Sequence, residues 1–342
     1  TARYQCVVTN GNGSVTSNGA VFTAHVSIEG LAFANSGGHE VLFEIYLVGG
    51  VLRSGYISPS NGVLADGVKT FSGSLLNHFF VKEDGSLWGR GQNSDGQMGL
   101  GTKGNVDLSL LGFAETASPL VASGVSSVSA GAYHTLFVKT DGSLWGMGDN
   151  YQGQLGLGQS GPRNTPQYNT YVDGIDRDVP TQIIASGVVS VHVADRTSYY
   201  IKSDGSLWGM GYNYYGQLGN GKSGFRSNYE SDNLPSFEHE STPIQIVSSG
   251  VTAVSGSCFI KSDGSLWGMG SNYYGQLSDD NATKTTPTKI VDSGVRAVAD
   301  CGGHILYVKT DGSLWGRGDN SGGQLGNGTT TTPTRTKQQH RR

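Results

Sequence analysis

Histidines are the residues of this chain best suited to proton transfer or metal binding, and four of the eight recur at related places. His134 and His304 each follow a glycine-containing turn, and His39 and His78 stand close to the corresponding positions. Imidazoles that meet around one axis could hold a metal ion. Their recurrence once per repeating unit favours a structural role instead, in which each imidazole bonds a neighbouring backbone group.

No other set of residues has the spacing of a catalytic centre. The sequence contains no phosphate-binding loop, nucleophile elbow or zinc motif, and no evident Ser-His-Asp set or carboxylate pair. Cys6, Cys258 and Cys301 match neither a disulfide framework nor a zinc pattern. Cys258 and Cys301 are expected to be free buried thiols, with a bridge between them as the alternative. We therefore expect no catalytic residue, no metal and no cofactor, and a protein that is not an enzyme.

Charge and hydropathy exclude further classes of function. The net charge is −4, so sequence-independent binding of nucleic acid is disfavoured, and the one basic cluster, residues 337–342, is expected to be a frayed tail. No apolar run approaches the length of a membrane span. The chain lacks an initiating Met and a signal peptide, which is typical of a mature product or of a piece of a longer protein.

One segment occurs five times and carries every tryptophan of the chain. Each copy retains a Lys, the run Asp-Gly-Ser-Leu-Trp-Gly and a final Gly. The copies cover residues 81–91, 138–148, 201–211, 260–270 and 308–318. The Asp-Gly pairs are interpreted as turn residues and not as calcium ligands.

Four short strand patterns belong to each repeat. In the clearest copy, residues 134–139 and 143–146 are β-rich runs joined by Asp141-Gly142, a pair suited to a tight hairpin. The alternating segment 124–131 precedes them, and the strand 181–184 follows. Four short antiparallel strands per period are the unit of a propeller blade.

The predicted fold is therefore an all-β β-propeller of six or seven four-stranded blades. Residues 37–55 resemble a sixth repeat that lacks the tryptophan, and a seventh blade forms if the chain ends complete it. The predicted propeller covers 27–336, with a tail at 337–342. Each tryptophan is expected to fill the gap between neighbouring blades.

The repeats resemble those of the regulator of chromosome condensation repeat family, most clearly at residues 131–136 and 149–156. The resemblance covers about residues 30–335 and implies a propeller. Family members include an exchange factor for the GTPase Ran, a plant ultraviolet photoreceptor, inhibitors of β-lactamase and bacterial surface proteins. Tyr133, Arg196 and Gly303 stand where the photoreceptors have clustered tryptophans, which counts against that function. The near-identical copies look most like bacterial versions.

Residues 1–26 have a different pattern. Tyr4, Cys6 and the strand-like residues around them resemble the last two strands of an immunoglobulin-like domain, in which a Tyr two residues before the second Cys forms a tyrosine corner. The alternative is an irregular strand pair that pads the first blade. The immunoglobulin-like resemblance implies an extracellular or cell-surface protein, which we expect to be bacterial.

Three inserts of about twenty residues, at 102–118, 159–179 and 222–241, leave the repeat at the same point and are expected on one side of the disc. Aromatic residues beside charges are typical of a protein-binding face. The alternative is that the inserts only drifted in length. The insert residues predicted to bind a partner are Tyr168, Tyr171, Phe225, Tyr229 and Phe237.

Tyrosines at the repeated Asn-x-x-Gly-Gln-Leu-Gly turn form a second predicted binding set. They could stack on sugars, anchor a protein, or cap the blade edge. The predicted residues are Tyr151, Tyr214, Tyr215, Tyr273 and Tyr274. We expect a non-catalytic scaffold with a protein partner. The alternatives are a glycan-binding module, an enzyme inhibitor and an exchange-factor-like regulator of a small GTPase.

Overall fold

The strands of the computed structural model follow the repeats. The structure describes residues 7–10, 13–16, 30–34, 43–54, 63–74, 77–103, 119–161, 175–224, 238–331 and 336–337. These residues form strands, turns and bends, and no helix among them could cross a membrane.

Successive strands pair antiparallel in chain order within each sheet. The first sheets contain β1 (Val7–Asn10) and β2 (Gly13–Thr16); then β3 (Gly30–Ala34), β4 (Phe43–Val48), β5 (Val51–Ser54) and β6 (Val63–Ala65); then β7 (Val68–Gly73), β8 (Asn77–Lys82) and β9 (Leu87–Gly91). The next contain β10 (Val125–Ala130), β11 (His134–Lys139), β12 (Leu144–Gly148) and β13 (Arg177–Ile184); then β14 (Val188–Ala194), β15 (Thr197–Lys202), β16 (Leu207–Tyr212) and β17 (His239–Val247). The last contain β18 (Val251–Ser255), β19 (Cys258–Lys261), β20 (Leu266–Gly270) and β21 (Lys284–Val291); then β22 (Val295–Asp300), β23 (His304–Lys309), β24 (Leu314–Gly318) and β25 (Thr336–Lys337).

The all-β propeller is confirmed, with five four-stranded blades among the described residues. The predicted count of six or seven such blades is not confirmed. The sheet β7–β9 has three strands, and only an isolated antiparallel bridge between Leu87 and Val121 stands where a fourth strand would pair. The sheet β1–β2 has two strands.

The first strand of each sheet lies nearest the propeller axis. Strand β10 contacts both β7 and β14, and the same relation continues through β18 to β22. Strand β1 contacts β22 and β3, and β3 contacts β7, so the inner strands close a circle. The division of the chain into residues 1–26, 27–336 and 337–342, with an immunoglobulin-like fragment first, stays a prediction.

Apolar clusters lie between neighbouring sheets rather than in one central core. Leu136 and Leu144 of one blade pack with Val188, Tyr200 and Met210 of the next. Equivalent clusters occupy the other seams between described blades. Because fully burying one such side chain is worth about 1.5–3 kcal/mol, each seam contributes to the stability of both blades that it joins.

The Asp-Gly-Ser-Leu-Trp hairpins are fixed by a repeated chain of hydrogen bonds. Asp141 Oδ1 accepts from the Ser143 backbone N at 2.8 Å and from Ser143 Oγ at 2.6 Å, and Ser143 Oγ accepts from Trp145 Nε1 at 2.8 Å. The indole stacks on Phe137 with ring centroids 6.4 Å apart, and Lys139 Nζ lies 4.2 Å from its centroid. All five copies repeat this arrangement.

The tryptophans therefore have the predicted packing role, with one difference in placement. Each indole is half-buried and lies at the edge of the cluster between two blades, while aliphatic side chains and a strand aromatic fill its centre. The Asp-Gly pairs are turn residues, as predicted, because the glycines of these hairpins have φ values of 75–84°.

Candidate binding face

The propeller has two faces, defined by which turns lie on them. His134 pairs with Gly148 across β11 and β12, so the loop before β11 and the Asn-x-x-Gly-Gln-Leu-Gly turn after β12 lie at the same end of the blade. We call this end the turn face. The Asp-Gly-Ser hairpins lie at the other end, which we call the hairpin face.

Each Asn-x-x-Gly-Gln-Leu-Gly turn is braced by its own amide side chains. Asn150 Oδ1 accepts from Leu155 N at 2.9 Å, and Gln154 Oε1 accepts from Gln152 N at 2.8 Å. Asn93, Asn213, Asn272 and Asn320 make the same bond to the leucine or methionine five residues on. The two residues between Asn and Gly are thereby held on a rigid support.

Three of the turns also dock on the next blade. Gly158 N donates to Ser241 O at 2.8 Å, and Gly101 N and Gly221 N donate to the equivalent carbonyls of Asp178 and Thr285. These carbonyls lie in the fourth strands β13, β17 and β21. The turn face is therefore a continuous surface that crosses the blade seams.

The three inserts leave the turn face, but most of their residues lie outside those that the structure describes. The five predicted insert residues, Tyr168, Tyr171, Phe225, Tyr229 and Phe237, are among those outside. The insert bases are described, and neighbouring ones touch. Lys103 Nζ lies 3.1 Å from Asp176 Oδ2, and Ser160 Oγ lies 2.7 Å from His239 Nε2.

All five predicted turn tyrosines lie on the turn face. Tyr273 is 75% exposed, Tyr215 48% and Tyr274 44%, whereas Tyr151 and Tyr214 are half-buried. We call Tyr212, Tyr214, Tyr215, Tyr273 and Tyr274 the tyrosine patch. Its role in binding stays a prediction.

The patch contains two edge-to-face pairs, one from each of two successive blades. The rings of Tyr214 and Tyr215 have centroids 5.0 Å apart at 88°, and those of Tyr273 and Tyr274 are 4.9 Å apart at 87°. Tyr212 stacks on Tyr214 with centroids 6.2 Å apart. Burial raises the pKa of Tyr212 to about 12, and Tyr215, Tyr214 and Asp195 add smaller contributions in the same direction.

Arg196 is a residue whose place on this face the sequence did not reveal. Its guanidinium lies 4.6 Å from the centroid of Tyr133, a ring contributed by the preceding blade. The Arg196 carbonyl accepts a hydrogen bond from Tyr212 N at 3.0 Å, which places it beside the tyrosine patch. Both residues occupy the loop before the second strand, which the repeat pattern marks only as variable.

The described histidines do not form a metal site, and His39 lies outside the described residues. Among the described residues, no three His, Cys, Asp or Glu side chains lie together in a way that could hold a metal ion. Burial lowers the pKa of His134 to about 3, and burial lowers that of His192 and of His78 to about 4. The expectation that His134 bonds neighbouring backbone was wrong, because its Nε2 contacts Ser198 Oγ of the next blade.

The two later cysteines differ from expectation. Cys258 is a free, buried thiol, as predicted, and burial raises its pKa. Cys301 was expected to be free but is disulfide-bonded, and its partner lies outside the described residues because Cys258 is free. A bridge between Cys258 and Cys301 is therefore excluded.

Comparison with known proteins supports the interpretation of the repeat. Residues 125–154 and 255–276 match the regulator of chromosome condensation (RCC1) repeat, and residues 204–259 match a second description of it. Ultraviolet-B receptor UVR8 of Arabidopsis thaliana is 31% identical over 201 residues, which is 57% of this chain and 38% of the receptor. Human Protein RCC2 is 30% identical over 161 residues, which is 45% of this chain and 26% of that protein.

This chain thus spans less than two fifths of the length of either relative. Both relatives are eukaryotic proteins, so the expected likeness to bacterial versions has no support from them.

A solved structure shows the same fold over most of the chain. Prp20p from Saccharomyces cerevisiae matches with a TM-score of 0.64 at 14% identity, over 92% of this chain and 77% of that one. Structures of that protein have been described in relation to its binding of Gsp1p and histones, and in complex with Kap60.

Proposed function

We propose that this chain, a propeller with repeats that match the regulator of chromosome condensation repeat, is a non-catalytic scaffold that binds a protein through its turn face. The observation that supports this most directly is the contact between insert bases. Lys103 reaches Asp176, and Ser160 reaches His239, so inserts from successive blades emerge side by side. Loop variation on a constant framework is how such scaffolds acquire partners.

The proposal assigns binding to aromatic residues of the inserts and of the turns. Large aromatic side chains usually carry much of the free energy of a protein interface. The insert residues are Tyr168, Tyr171, Phe225, Tyr229 and Phe237, and the turn residues are Tyr151, Tyr214, Tyr215, Tyr273 and Tyr274.

A protein partner is also in keeping with the relatives. Prp20p, which shares the fold, has been studied for its binding to Gsp1p and histones. At 14% identity the likeness to Prp20p is one of fold. Regulation of a small GTPase stays the alternative, and photoreception is not proposed because Tyr133 and Arg196 stand where tryptophans would be needed.

We further propose that the protein works outside the cell or at its surface. The disulfide of Cys301 supports this, because disulfides persist in oxidising compartments and are rare in the cytosol.

Trimming the inserts tests the proposal. Residues 104–118, 162–174 and 225–237 would each be replaced by a link as short as residues 278–283, which join the turn of one blade to β21 without an insert. Blade seams are built from strand residues, so the trimmed protein should keep its circular dichroism spectrum and melting temperature. Its binding to partners captured by the full chain, identified by quantitative mass spectrometry, should fall at least tenfold.

The control variant keeps all three inserts and changes only the opposite face. In it, Asp66 and Asp292 on the hairpin face are replaced by Asn. This variant should bind as the parent does. Unchanged partner binding by a folded, trimmed protein would refute the proposed face.

A further inference from the structure

We infer that the tyrosine patch, with the carboxylates around it, binds a basic protein segment rich in Lys or Arg. The inference rests on the proposed function, since it names the class of partner for part of the same face. Tyr215, Tyr273 and Tyr274 are three of the six large hydrophobic side chains that are exposed among the described residues. An exposed aromatic group of this kind on a rigid turn is a natural contact for a partner.

The geometry of the rings suits a cation better than a flat ligand. In each edge-to-face pair the rings stand almost perpendicular, so the pair does not present a coplanar platform. A perpendicular pair still leaves the face of one ring open, and the face of a tyrosine attracts an ammonium or guanidinium group within about 6 Å of its centroid. Arg196 over Tyr133, at 4.6 Å, is such a pair within the same face.

Among the described residues, Arg196 beside the patch packs on Tyr133, and three other cations nearby are paired with carboxylates. Lys222 Nζ lies 3.1 Å from Glu240 Oε1, and Lys284 Nζ lies 2.6 Å from Asp280 Oδ2. Arg317 is buried and pairs with Asp279. None of these three paired cations is therefore available to neutralise the remaining carboxylates.

Three carboxylates of the turn face, two of them beside the patch, have no cationic partner among the described residues. Asp195 is exposed and lies near enough to Tyr212 to affect its ionisation. Asp319 adjoins Gly303, which also borders the ring of Tyr274. Asp300 accepts hydrogen bonds from Ser257 and Gly302. Arg196 supplies one positive charge there, so among the described residues the three carboxylates leave an excess of negative charge at this end of the face.

The hairpin face lacks this combination. Each hairpin places a lysine over its tryptophan and an aspartate two residues later, as in Lys139 and Asp141, so these two charges offset each other in each copy. Among the described inner strands, Val189 is the one large apolar side chain that is exposed, and it is aliphatic, not aromatic. A basic segment would therefore be directed to the turn face, where aromatic rings and acidic groups lie together.

Point variants measured with defined probes test the inference. The probes are a biotinylated peptide of ten lysines, a peptide of ten glutamates, a neutral Gly-Ser peptide and chitohexaose, each titrated by biolayer interferometry. The full chain should bind the lysine peptide and not the other three. The variant Tyr215→Ala, Tyr273→Ala, Tyr274→Ala should bind it at least tenfold more weakly, because the rings are lost from an exposed surface without disturbing a core.

Matched variants separate the contributions of ring, hydroxyl and charge. Tyr273→Phe with Tyr274→Phe should keep the affinity within about twofold, because the ring face remains. Asp195→Asn with Asp319→Asn should weaken binding about fivefold and reduce its dependence on NaCl concentration. Asp66→Asn with Asp292→Asn, which makes the same change of net charge on the hairpin face, should leave the affinity unchanged.

Equal affinity of the parent and the triple alanine variant for the lysine peptide would overturn the inference. Binding of chitohexaose with the same dependence on the tyrosines would overturn it in favour of a glycan site. The trimmed chain keeps all five patch tyrosines, so it should bind the lysine peptide as well as the full chain. If trimming removes the captured partners but the lysine peptide never binds, the inference fails while the proposed function stands.

Discussion

Nε2 of His134 lies 2.8 Å from Oγ of Ser198, and this hydrogen bond joins β11 of one blade to β15 of the next. Ser198 Oγ donates its own hydrogen to Gln154 O at 2.7 Å, so it must accept from the imidazole. The proton of the neutral ring is therefore on Nε2. Nδ1 is buried without a hydrogen-bond partner, which leaves no group to stabilise a second proton.

The pH dependence of stability should follow from this arrangement. Burial lowers the pKa of folded His134 to about 3, so the unfolded chain binds the extra proton first as the pH falls. The free energy of unfolding therefore keeps its full contribution from neutral His134 above pH 6.5. This contribution is lost progressively as the pH falls from 6.5 towards 3. At pH 4.5 the loss is up to about 3 kcal/mol, since one pKa unit corresponds to about 1.4 kcal/mol.

The variant His134→Gln should reduce this loss, because a Gln amide can donate to Ser198 Oγ but does not titrate. Urea denaturation at pH 7.5 and pH 4.5 gives the two free energies of unfolding to compare. In contrast, Ser198→Ala should cost about 1–3 kcal/mol at pH 7.5 and leave the acid sensitivity in place, because the imidazole stays buried. An acid sensitivity equal to that of the parent in His134→Gln would contradict the assignment.

Gly156→Ala should be strongly destabilising. A Cβ at Gly156 would lie 2.5 Å from Met210 Sδ, and its φ of 66° is unfavourable for alanine. We expect a loss of more than about 2 kcal/mol in the free energy of unfolding, as typical of overpacking. Thermal and urea denaturation both measure it.

Gly187→Ala is the matched control, because its φ is 84° but a Cβ there would meet nothing within 4 Å. Its free energy of unfolding should fall by only about 1 kcal/mol, because a residue with a Cβ is disfavoured at positive φ. One seam of the chain already has a larger residue in place of this glycine and a different side chain in place of the methionine. In the last seam Arg317 replaces the methionine, and Ser278 stands where the other turns have this glycine.

His192→Ser should stabilise the seam between β14 and β18. At the equivalent position of other inner strands, a serine hydroxyl accepts from the backbone of the next blade: Ser72 from Ala130 N at 3.0 Å and Ser129 from Val193 N at 2.9 Å. Serine at position 192 should restore such a bond and add about 1 kcal/mol at neutral pH. It should add more at pH 4.5, because desolvation lowers the pKa of His192 to about 4. If the variant is less stable than the parent at both pH values, packing of the imidazole stabilises the seam more than the serine hydrogen bond does, and the prediction is wrong.

The two cysteines should differ in their response to alkylation. Cys258 is buried and free, so iodoacetamide should label it only when the protein is unfolded, with or without prior reduction. Cys301 should be labelled only after reduction, because it is disulfide-bonded. Peptide mass spectrometry of protein prepared without reductant distinguishes the two, and labelling of Cys301 before reduction would remove the support for an extracellular site of action.

Repetition allowed much of the fold to be predicted from the sequence. Five copies of Asp-Gly-Ser-Leu-Trp-Gly determine the hairpins, because Asp141, Ser143 and Trp145 and their equivalents form a local chain of hydrogen bonds. The alternating pattern around each copy determines the strands that flank it, and the repeated turn motif determines on which end of the blade the tyrosines lie. These are short-range relations, and each is visible within one period.

Contacts between blades were decided only by the tertiary structure. The pairing of His134 with Ser198, the approach of Arg196 to Tyr133 and the contact of Lys103 with Asp176 each join residues of different repeats. The partners lie about one repeat apart along the chain, but the residue types at these positions vary from repeat to repeat, so the repeat pattern does not indicate which side chains meet. The sequence alone therefore determined what each blade is, while the packing of blade against blade decided which side chains meet, because those contacts depend on three-dimensional distance and not on spacing along the chain.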